Sequence, residues 1–256
     1  MSPTENTKAI GVIPARLGST RLAEKVLRLI QGKPMIQHVW ERAVRAKKLD
    51  DLIVACDDAR IAECVRSFGG KALLTRADHP NGSSRVAEVA AREAGDVFIN
   101  IQGDEPMIHP AGIDQIVDAF NASPDISVAT LAVRRNIRAD YENPNVVKVI
   151  CDEKGNALYF SRASIPHFRD SDSGPFSYLK HLGIYGYKKD FLIKFVSWKQ
   201  ATLEQQERLE QLRILEKGFP IRVIETPYDS FSVDTAEDLA AVESKLKSLS
   251  KEAGVV

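Results

Sequence analysis

Cysteine is scarce in this chain and neither sign of charge prevails. The 3 cysteines among 256 residues, Cys56, Cys64 and Cys151, form no CxxC pair and no metal-ligand spacing. So small and odd a set excludes a disulfide framework and suits a reducing cytoplasm. Cys64 falls on the apolar face of an expected helix, where it reads as a small core hydrophobe. The 35 basic and 35 acidic residues cancel. No global field therefore draws the chain to nucleic acid or to an anionic membrane, and neither is expected as a partner. No apolar run reaches the length of a membrane span. Residues 1–7, Met-Ser-Pro-Thr-Glu-Asn-Thr, hold no apolar signal core, which again points to the cytoplasm. The patterns GxSxG, HExxH and GxxxxGKS/T are missing, and no GxGxxG follows the first strand, which argues against a nicotinamide dehydrogenase.

The remaining composition, 44% hydrophobic and 27% charged, is that of a globular protein with enough surface to bury a core in one large or two small domains. The stretch AIGVIPARLGSTRLAEK, residues 9–25, organises the rest. Residues 9–13 read as a buried strand, with Pro14 ending it because proline lacks the amide hydrogen of a central strand. The loop that follows carries Gly18, the hydroxyls of Ser19 and Thr20, and the cations Arg16, Arg21 and Lys25. A strand, a small polar loop and basic side chains make a phosphate cradle; a solvated loop after an edge strand is the plainer alternative.

Beyond it, helical spacing follows Pro34 (Ile36, Val39, Trp40, Ala43), then come a strand at 51–56, a helix at 58–68 ended by Gly69-Gly70, and a strand at 71–74. Ser83 or Ser84 is placed to cap a helix through Val86, Val89 and Ala90. A strand at 97–101 and a helix through Ile113, Ile116, Val117 and Phe120 complete an alternation. This predicts a mostly parallel, Rossmann-like α/β sheet with helices on both faces. From 126 the rhythm turns to strands (128–133, 146–151, 157–160, 183–187), and helices return at 190–197 and 203–217. We therefore expect a nucleotide-binding core at 1–125 and 218–256, closed by a strand at 221–224 and a helix at 236–249, with a β-rich and helical lobe inserted at 126–217.

Ligands of open α/β sheets bind beyond the carboxyl ends of the strands. There the chain delivers the Arg16/Arg21/Lys25 loop, then Arg76 with Asn81-Gly-Ser-Ser84, then Gln102 and Asp104, and finally Asp234. Two carboxylates beside a basic loop suggest Mg²⁺, which takes few protein oxygens together with water and substrate phosphate. Asp104 also fits a simple turn, and Asp234-Thr-Ala-Glu237 has capping-box spacing, which spacing by itself favours. His38 and His109 read as packing or surface residues, and Asp57-Asp58 as helix-start acidity.

Taken together, VIPARLGSTRL (12–22) with Lys25, GKPMIQHV (32–39), NIQGDEP (100–106), ALYFSR (157–162), KHLGIYGY (180–187), LEQLR (209–213) and VDT (233–235) resemble the bacterial CMP-KDO synthetase family, the 3-deoxy-manno-octulosonate cytidylyltransferases. The likeness runs through nearly the whole chain. It implies an enzyme with a nucleotide-diphospho-sugar transferase fold. Such an enzyme moves CMP from CTP to the anomeric 2-hydroxyl of KDO, releases pyrophosphate, needs Mg²⁺, works as a homodimer and serves lipopolysaccharide synthesis. Residue by residue it implies that Arg16, Arg21 and Lys25 hold the CTP phosphates and that Arg76, Ser83 and Gln102 line the nucleoside pocket. Lys25, Asp104 and Asp234 become the catalytic set, with Asp104 and Asp234 as metal ligands. Arg162, His181, Tyr185, Glu210 and Gln211 face the sugar acid. The chain departs from the family where Ala23, Glu24 and Val26 replace a Pro-Gly-Lys-Pro-like turn, and where Ser84 stands for an acidic residue. The related alternatives are another acceptor (an 8-amino or sialic-acid-like sugar), a non-catalytic nucleotide-binding homologue and, more remotely, a Mg²⁺-dependent glycosyltransferase.

Overall fold

The computed structural model of the chain describes residues 7–18, 22–169 and 176–252, so Ser19, Thr20 and Arg21 lie outside the described residues. The first half comprises β1 (Ala9–Ala15), β2 (Leu29–Ile30), β3 (Lys33–Pro34), α1 (Met35–Ala43), β4 (Asp51–Cys56), α2 (Ala59–Ser67), β5 (Lys71–Leu74), α3 (Gly82–Arg92), β6 (Val97–Asn100) and α4 (Pro110–Ala122). The second comprises β7 (Val128–Arg135), α5 (Arg138–Glu142), β8 (Lys148–Cys151), β9 (Ala157–Ser161), β10 (Tyr178–Lys188), α6 (Lys189–Val196), α7 (Thr202–Glu207), α8 (Leu212–Glu216), β11 (Arg222–Glu225) and α9 (Ala236–Glu252).

Among the described residues one sheet runs β11-β7-β10-β6-β1-β4-β5, with β8 added to β10 and β9 to β8. The pairs β1–β4, β1–β6, β4–β5 and β11–β7 are parallel, whereas β10 runs antiparallel to both β6 and β7. The mixed, mostly parallel sheet agrees with the expected fold class. Among the described residues of 126–217, β7 and β10 sit inside the main sheet and β8 and β9 are joined to it through β10. The long apolar register of β7 and β10 with each other and with β6 and β11 holds them there. The β8–β9 hairpin continues this sheet from β10, and its turn is tied to β11: the Val223 amide donates to the Gly155 carbonyl at 2.8 Å and the Ala157 amide to the Ile221 carbonyl at 2.9 Å.

Alternation along the strands fills two cores. On one face Ile13, Val54, Ile99 and Ile184 meet α1, α2 and α4; on the other Ile10, Val12, Ile53 and Phe98 meet α3, α6 and α8. A third, smaller core joins Ile30, Met35, Val233 and Val242 and ties α9 to the β2–β3 turn.

Three local expectations are corrected. Pro14 lies within β1 rather than ending it. The Val12 carbonyl turns toward β6 and accepts from the Ile101 amide, and Pro14, two residues on, faces the same side after β6 has stopped at Asn100. No ladder bond is lost there. Asn81, not Ser83 or Ser84, caps α3, its Oδ1 accepting from the Ser84 amide at 2.9 Å. The helix expected at 203–217 is broken at Arg208, which takes a left-handed φ of 55°. Tertiary bonds favour the break. The Glu207 carboxylate accepts from Ser161 Oγ and the Arg162 amide, and its carbonyl accepts from Arg162 Nε.

Gly186 in β10 carries α4 at close range: a Cβ there would stand 2.4 Å from Ile116 Cγ2 and 2.7 Å from Phe120 Cε2. Overpacking of this kind costs about 1–3 kcal/mol. Gly186→Ala is expected to destabilise the chain by that amount in urea unfolding; unchanged stability would mean that α4 has room to move away.

Candidate active site

From β1 the chain proceeds to β4 and β5 on one side and returns to β6 on the other. The reversal point between β1 and β6 is where such sheets open a crevice. A cavity of about 340 Å³ lies there, lined by Arg16 from the end of β1, Lys25, Gln102 and Asp104 from beyond β6, Asn81 and Arg85 from the start of α3, and Asp234.

Three different local devices bring its charged groups together. Lys25 begins a 3-10 turn, Lys25–Leu27, entered through Glu24 in a left-handed conformation with φ of 52°. The Glu24 carboxylate accepts from Arg60 Nη1 of α2 at 2.9 Å in an exposed pair, and Glu24 does not line the cavity. Asp104 follows Gly103, whose backbone rests on the end of β1: a Cβ there would lie 2.8 Å from the Pro14 carbonyl oxygen. Asp234 follows the buried Val233, whose amide donates to the Asp104 carbonyl at 2.9 Å. The cap of α9 is Thr235, not Asp234. Thr235 Oγ1 accepts from the Asp238 amide, while Asp238 Oδ2 accepts from the Thr235 and Asp234 amides. The capping box expected at 234–237 thus lies one residue later, and the Asp234 side chain is turned to the cavity.

Lys25 Nζ donates to Asp104 Oδ2 at 2.5 Å and to Asp234 Oδ1 at 2.9 Å. Burial works against the charge on Lys25, but the two carboxylates outweigh it and hold its pKa above the ordinary value. The two acids therefore already converge on one cation. They also fit Mg²⁺, which is commonly held by one or two carboxylates completed by substrate phosphates and water. Among the described residues no group of three or more His, Cys, Asp or Glu side chains is placed to hold a metal by itself.

A second set of polar groups surrounds the adjoining end of β10. Gln102 Nε2 donates to the Gly183 carbonyl at 2.8 Å, fixing a bulge where the β10–β7 register shifts between Leu182 and Tyr185. The Thr130 hydroxyl donates to the Ile184 carbonyl at 2.7 Å and lies 3.0 Å from His181 Nε2, an arrangement that suits the tautomer protonated at Nε2. Enclosure of the ring holds the His181 pKa down at about 3, so the imidazole is neutral. The Tyr185 hydroxyl and Gln211 Nε2 are buried and have no hydrogen-bond partner among the described residues. Glu210 Oε1 accepts from Asn81 Nδ2 at 2.8 Å and Oε2 from Ser83 Oγ at 2.9 Å. Burial, partly offset by Ser83 and Arg213, raises the Glu210 carboxyl to about 7. Arg162 spends Nε on the Glu207 carbonyl and Nη1 on the Pro144 carbonyl, at 2.8 and 3.0 Å.

Of the residues singled out from sequence, Arg16, Lys25, Gln102, Asp104 and Asp234 share the cavity wall. Ser83 is buried behind it against Glu210. Arg76 lies outside it, exposed and paired with Asp78 at 2.9 Å. His181 and Tyr185 pack against each other, and Glu210 and Gln211 enter from the break before α8. Sequence reasoning missed Arg85, which lines the cavity and pairs with Asp57, because an arginine on a helix reads as a solvated face. It also missed His79, another wall residue, whose Nε2 lies 2.5 Å from Glu88 Oε2. Glu105, next to Asp104, is a buried carboxyl raised to about 7 by burial, and its Oε2 has no partner among the described residues. Asp58 caps α2 as helix-start acidity requires, but Asp57 does not.

The sequence matches the profile of the family described as "Cytidylyltransferase" over residues 10–225. It is 47% identical over 248 residues to a 3-deoxy-manno-octulosonate cytidylyltransferase of Geobacter metallireducens, covering 93% of this chain and 98% of that protein. Identity is 50% over 238 residues to the like-named protein of Syntrophobacter fumaroxidans, covering 92% and 95%. The solved structure of a CMP:2-keto-3-deoxy-manno-octonic acid synthetase complexed with CTP superposes with a TM-score of 0.90 at 42% identity, covering 94% of this chain and 99% of that one. A 4-diphosphocytidyl-2C-methyl-D-erythritol synthase from Anaerococcus prevotii, at 12% identity and a TM-score of 0.63, shares the fold alone. With its cavity at the sheet's reversal point and near-full-length identity to these relatives, the chain belongs to the 3-deoxy-manno-octulosonate cytidylyltransferase family.

Proposed function

We propose that the chain transfers the cytidylyl group of CTP to the anomeric 2-hydroxyl of 3-deoxy-D-manno-octulosonate and releases pyrophosphate, activating that sugar acid for lipopolysaccharide synthesis. The observation that carries this is the convergence of Lys25, Asp104 and Asp234 in a cavity whose wall includes Arg16. The names of the relatives support the two substrates.

In the reaction the hydroxyl oxygen attacks the α-phosphorus in line. The bond from that phosphorus to the bridging oxygen of the β-phosphate breaks, and the hydroxyl proton passes to water. Arg16 and Lys25 bind the triphosphate and offset the charge that builds on the departing pyrophosphate; Arg21 is proposed to help, although it lies outside the described residues. Preorganised cations of this kind lower the barrier without reorganising during the step. Mg²⁺, held by Asp104 and Asp234, would neutralise phosphate charge and lower the pKa of the attacking hydroxyl. Gln102 faces the nucleoside from the cavity wall, while Ser83 backs it and Arg76 adjoins it. On the sugar side, the neutral His181, the Tyr185 hydroxyl and the Gln211 amide offer donors and acceptors to a polyhydroxylated acid. Arg162 Nη2 has no protein acceptor among the described residues and suits the sugar carboxylate.

The homodimer is likewise proposed. Among the described residues β9 is paired on one side only, and it exposes Leu158 at 60%. An apolar edge strand is a surface that needs a cover. Sedimentation equilibrium is expected to give twice the chain mass; a monomer at micromolar concentration would remove the dimer. A cytoplasmic setting is supported by three free cysteines and by the lack, among the described residues, of any helix long and apolar enough to cross a membrane.

Pyrophosphate release from CTP, with each sugar acid offered in turn and UTP as control, tests the activity. Release is expected with CTP and KDO and not with UTP; preference for a sialic acid would change the acceptor, and UTP dependence would sink the cytidylyl assignment. Asp104→Ala and Asp234→Ala are each expected to lower turnover by about a thousandfold or more, as loss of a charge-stabilising group does, with circular dichroism unchanged. Near-normal turnover of either would remove that residue from the metal site.

Glu210 gives a pH signature. Its carboxyl is raised in the folded chain to about 7. Its contribution to stability is therefore complete below the unfolded value near 4.5 and is lost as pH rises through 7. Glu210→Gln is expected to gain about 2–3 kcal/mol relative to the wild type between pH 5 and pH 8 in urea titrations. A parallel pH dependence in the two proteins would show that Glu210 is ionised throughout.

A further inference from the structure

Arg85 is an expensive residue for its place. It is 3% exposed on α3, and removing a guanidinium from water costs several kcal/mol unless every donor is matched. Its Nη2 donates to Asp57 Oδ2 at 3.2 Å, and its Nη1 donates to Thr75 Oγ1 at 2.6 Å and to the Arg76 carbonyl at 3.2 Å. Thr75 is itself anchored, its amide and hydroxyl both donating to the Cys56 carbonyl at the end of β4. Asp57 uses its other oxygen elsewhere: Oδ1 accepts the amide of Leu17 at 3.0 Å, the residue after Arg16. One side chain thus joins the ends of β4 and β5 and, through Asp57, the turn leaving β1. A patch of hydrocarbon would fill the volume at no desolvation cost but would hold none of these backbone groups in register.

We propose that Asp57 and Arg85 are positioning residues for CTP, fixing the Arg16–Leu17 turn relative to the Thr75–Arg76 segment and so holding Arg16 in place on the cavity wall. The role rests on the cytidylyltransferase activity above. Asp57 is not among the residues lining the cavity, so it acts through the Leu17 turn it holds and through Arg85. Among the described residues the hydrogen bonds of the pair run to Leu17, Thr75 and Arg76 and not to His181 or Tyr185, so its influence is expected on CTP rather than on the sugar acid.

The test is steady-state pyrophosphate release together with calorimetric CTP binding for the full chain and for Asp57→Asn, Arg85→Met and Arg85→Lys. Asp57→Asn is nearly isosteric and keeps the acceptor for Leu17, but turns an amide toward the guanidinium; it carries the test if Arg85→Met does not fold. For Asp57→Asn and Arg85→Met the KM and Kd for CTP are expected to rise about tenfold or more, while kcat and the KM for the sugar acid stay within about threefold. Arg85→Lys, which reaches Asp57 but lacks the fork, is expected to recover part of the loss. Unchanged CTP constants, or losses shared equally by both substrates, would overturn the positioning role while leaving the activity standing. A wild-type chain that releases no pyrophosphate from CTP overturns the activity and this role with it.

Discussion

Two carboxylates cannot share a half-buried site without a cation between them, and this constraint organises the molecule. Asp104 and Asp234 stand on segments 130 residues apart in the chain, and Lys25 answers both. Each acid is held from behind by backbone rather than by its own side chain: Gly103 lies against Pro14, and the Val233 amide bonds the Asp104 carbonyl. The small core around Ile30, Met35 and Val233 then fixes the Asp234 segment beside the β2–β3 turn that follows Lys25. Packing sets the distances, and Coulomb attraction makes them tolerable. A divalent ion arriving with nucleotide would meet oxygen ligands already gathered, so little ordering entropy would remain to oppose binding.

Much of this was legible in the sequence because it depends on local patterns. Apolar runs gave β4 and β5 to the residue, and helical spacing placed α1, α2 and α4. Residues that end strands, such as Arg16 and Gln102, fell on the site because a parallel sheet collects strand ends on one side. Errors arose where a distant partner decided a local choice. Pro14 is accommodated because β6 stops early, which no reading of β1 alone reveals. The helix after 202 is cut by Glu207 turning to Ser161 and Arg162, more than forty residues away in sequence. The strand expected at 183–187 is the end of a longer β10, whose start at Tyr178 is set by pairing with β7, and which bridges β6 and β7. Arg85 and Glu105 escaped notice because burial of a charge leaves no compositional trace.

The departures near Lys25 look milder in three dimensions than in one. Glu24 occupies the left-handed position that glycine favours, a conformation that costs a non-glycine residue about 1 kcal/mol. Its carboxylate turns to Arg60 on the surface rather than into the cavity, so the extra negative charge is answered outside the site. Ser84 contributes its amide to the Asn81 cap and its hydroxyl to the Asn81 carbonyl, which keeps the start of α3 closed without an acid.

The capping of α9 by Thr235 and Asp238 divides labour between neighbours. Helix integrity falls to one pair of side chains and cation chemistry to the residue just before them. Because the two duties do not share a side-chain atom, the Asp234 carboxylate can be exchanged without removing the side chains that cap the terminal helix. The scaffold is in that sense modular at single-residue resolution: the charge facing the cavity can change by substitution rather than by refolding.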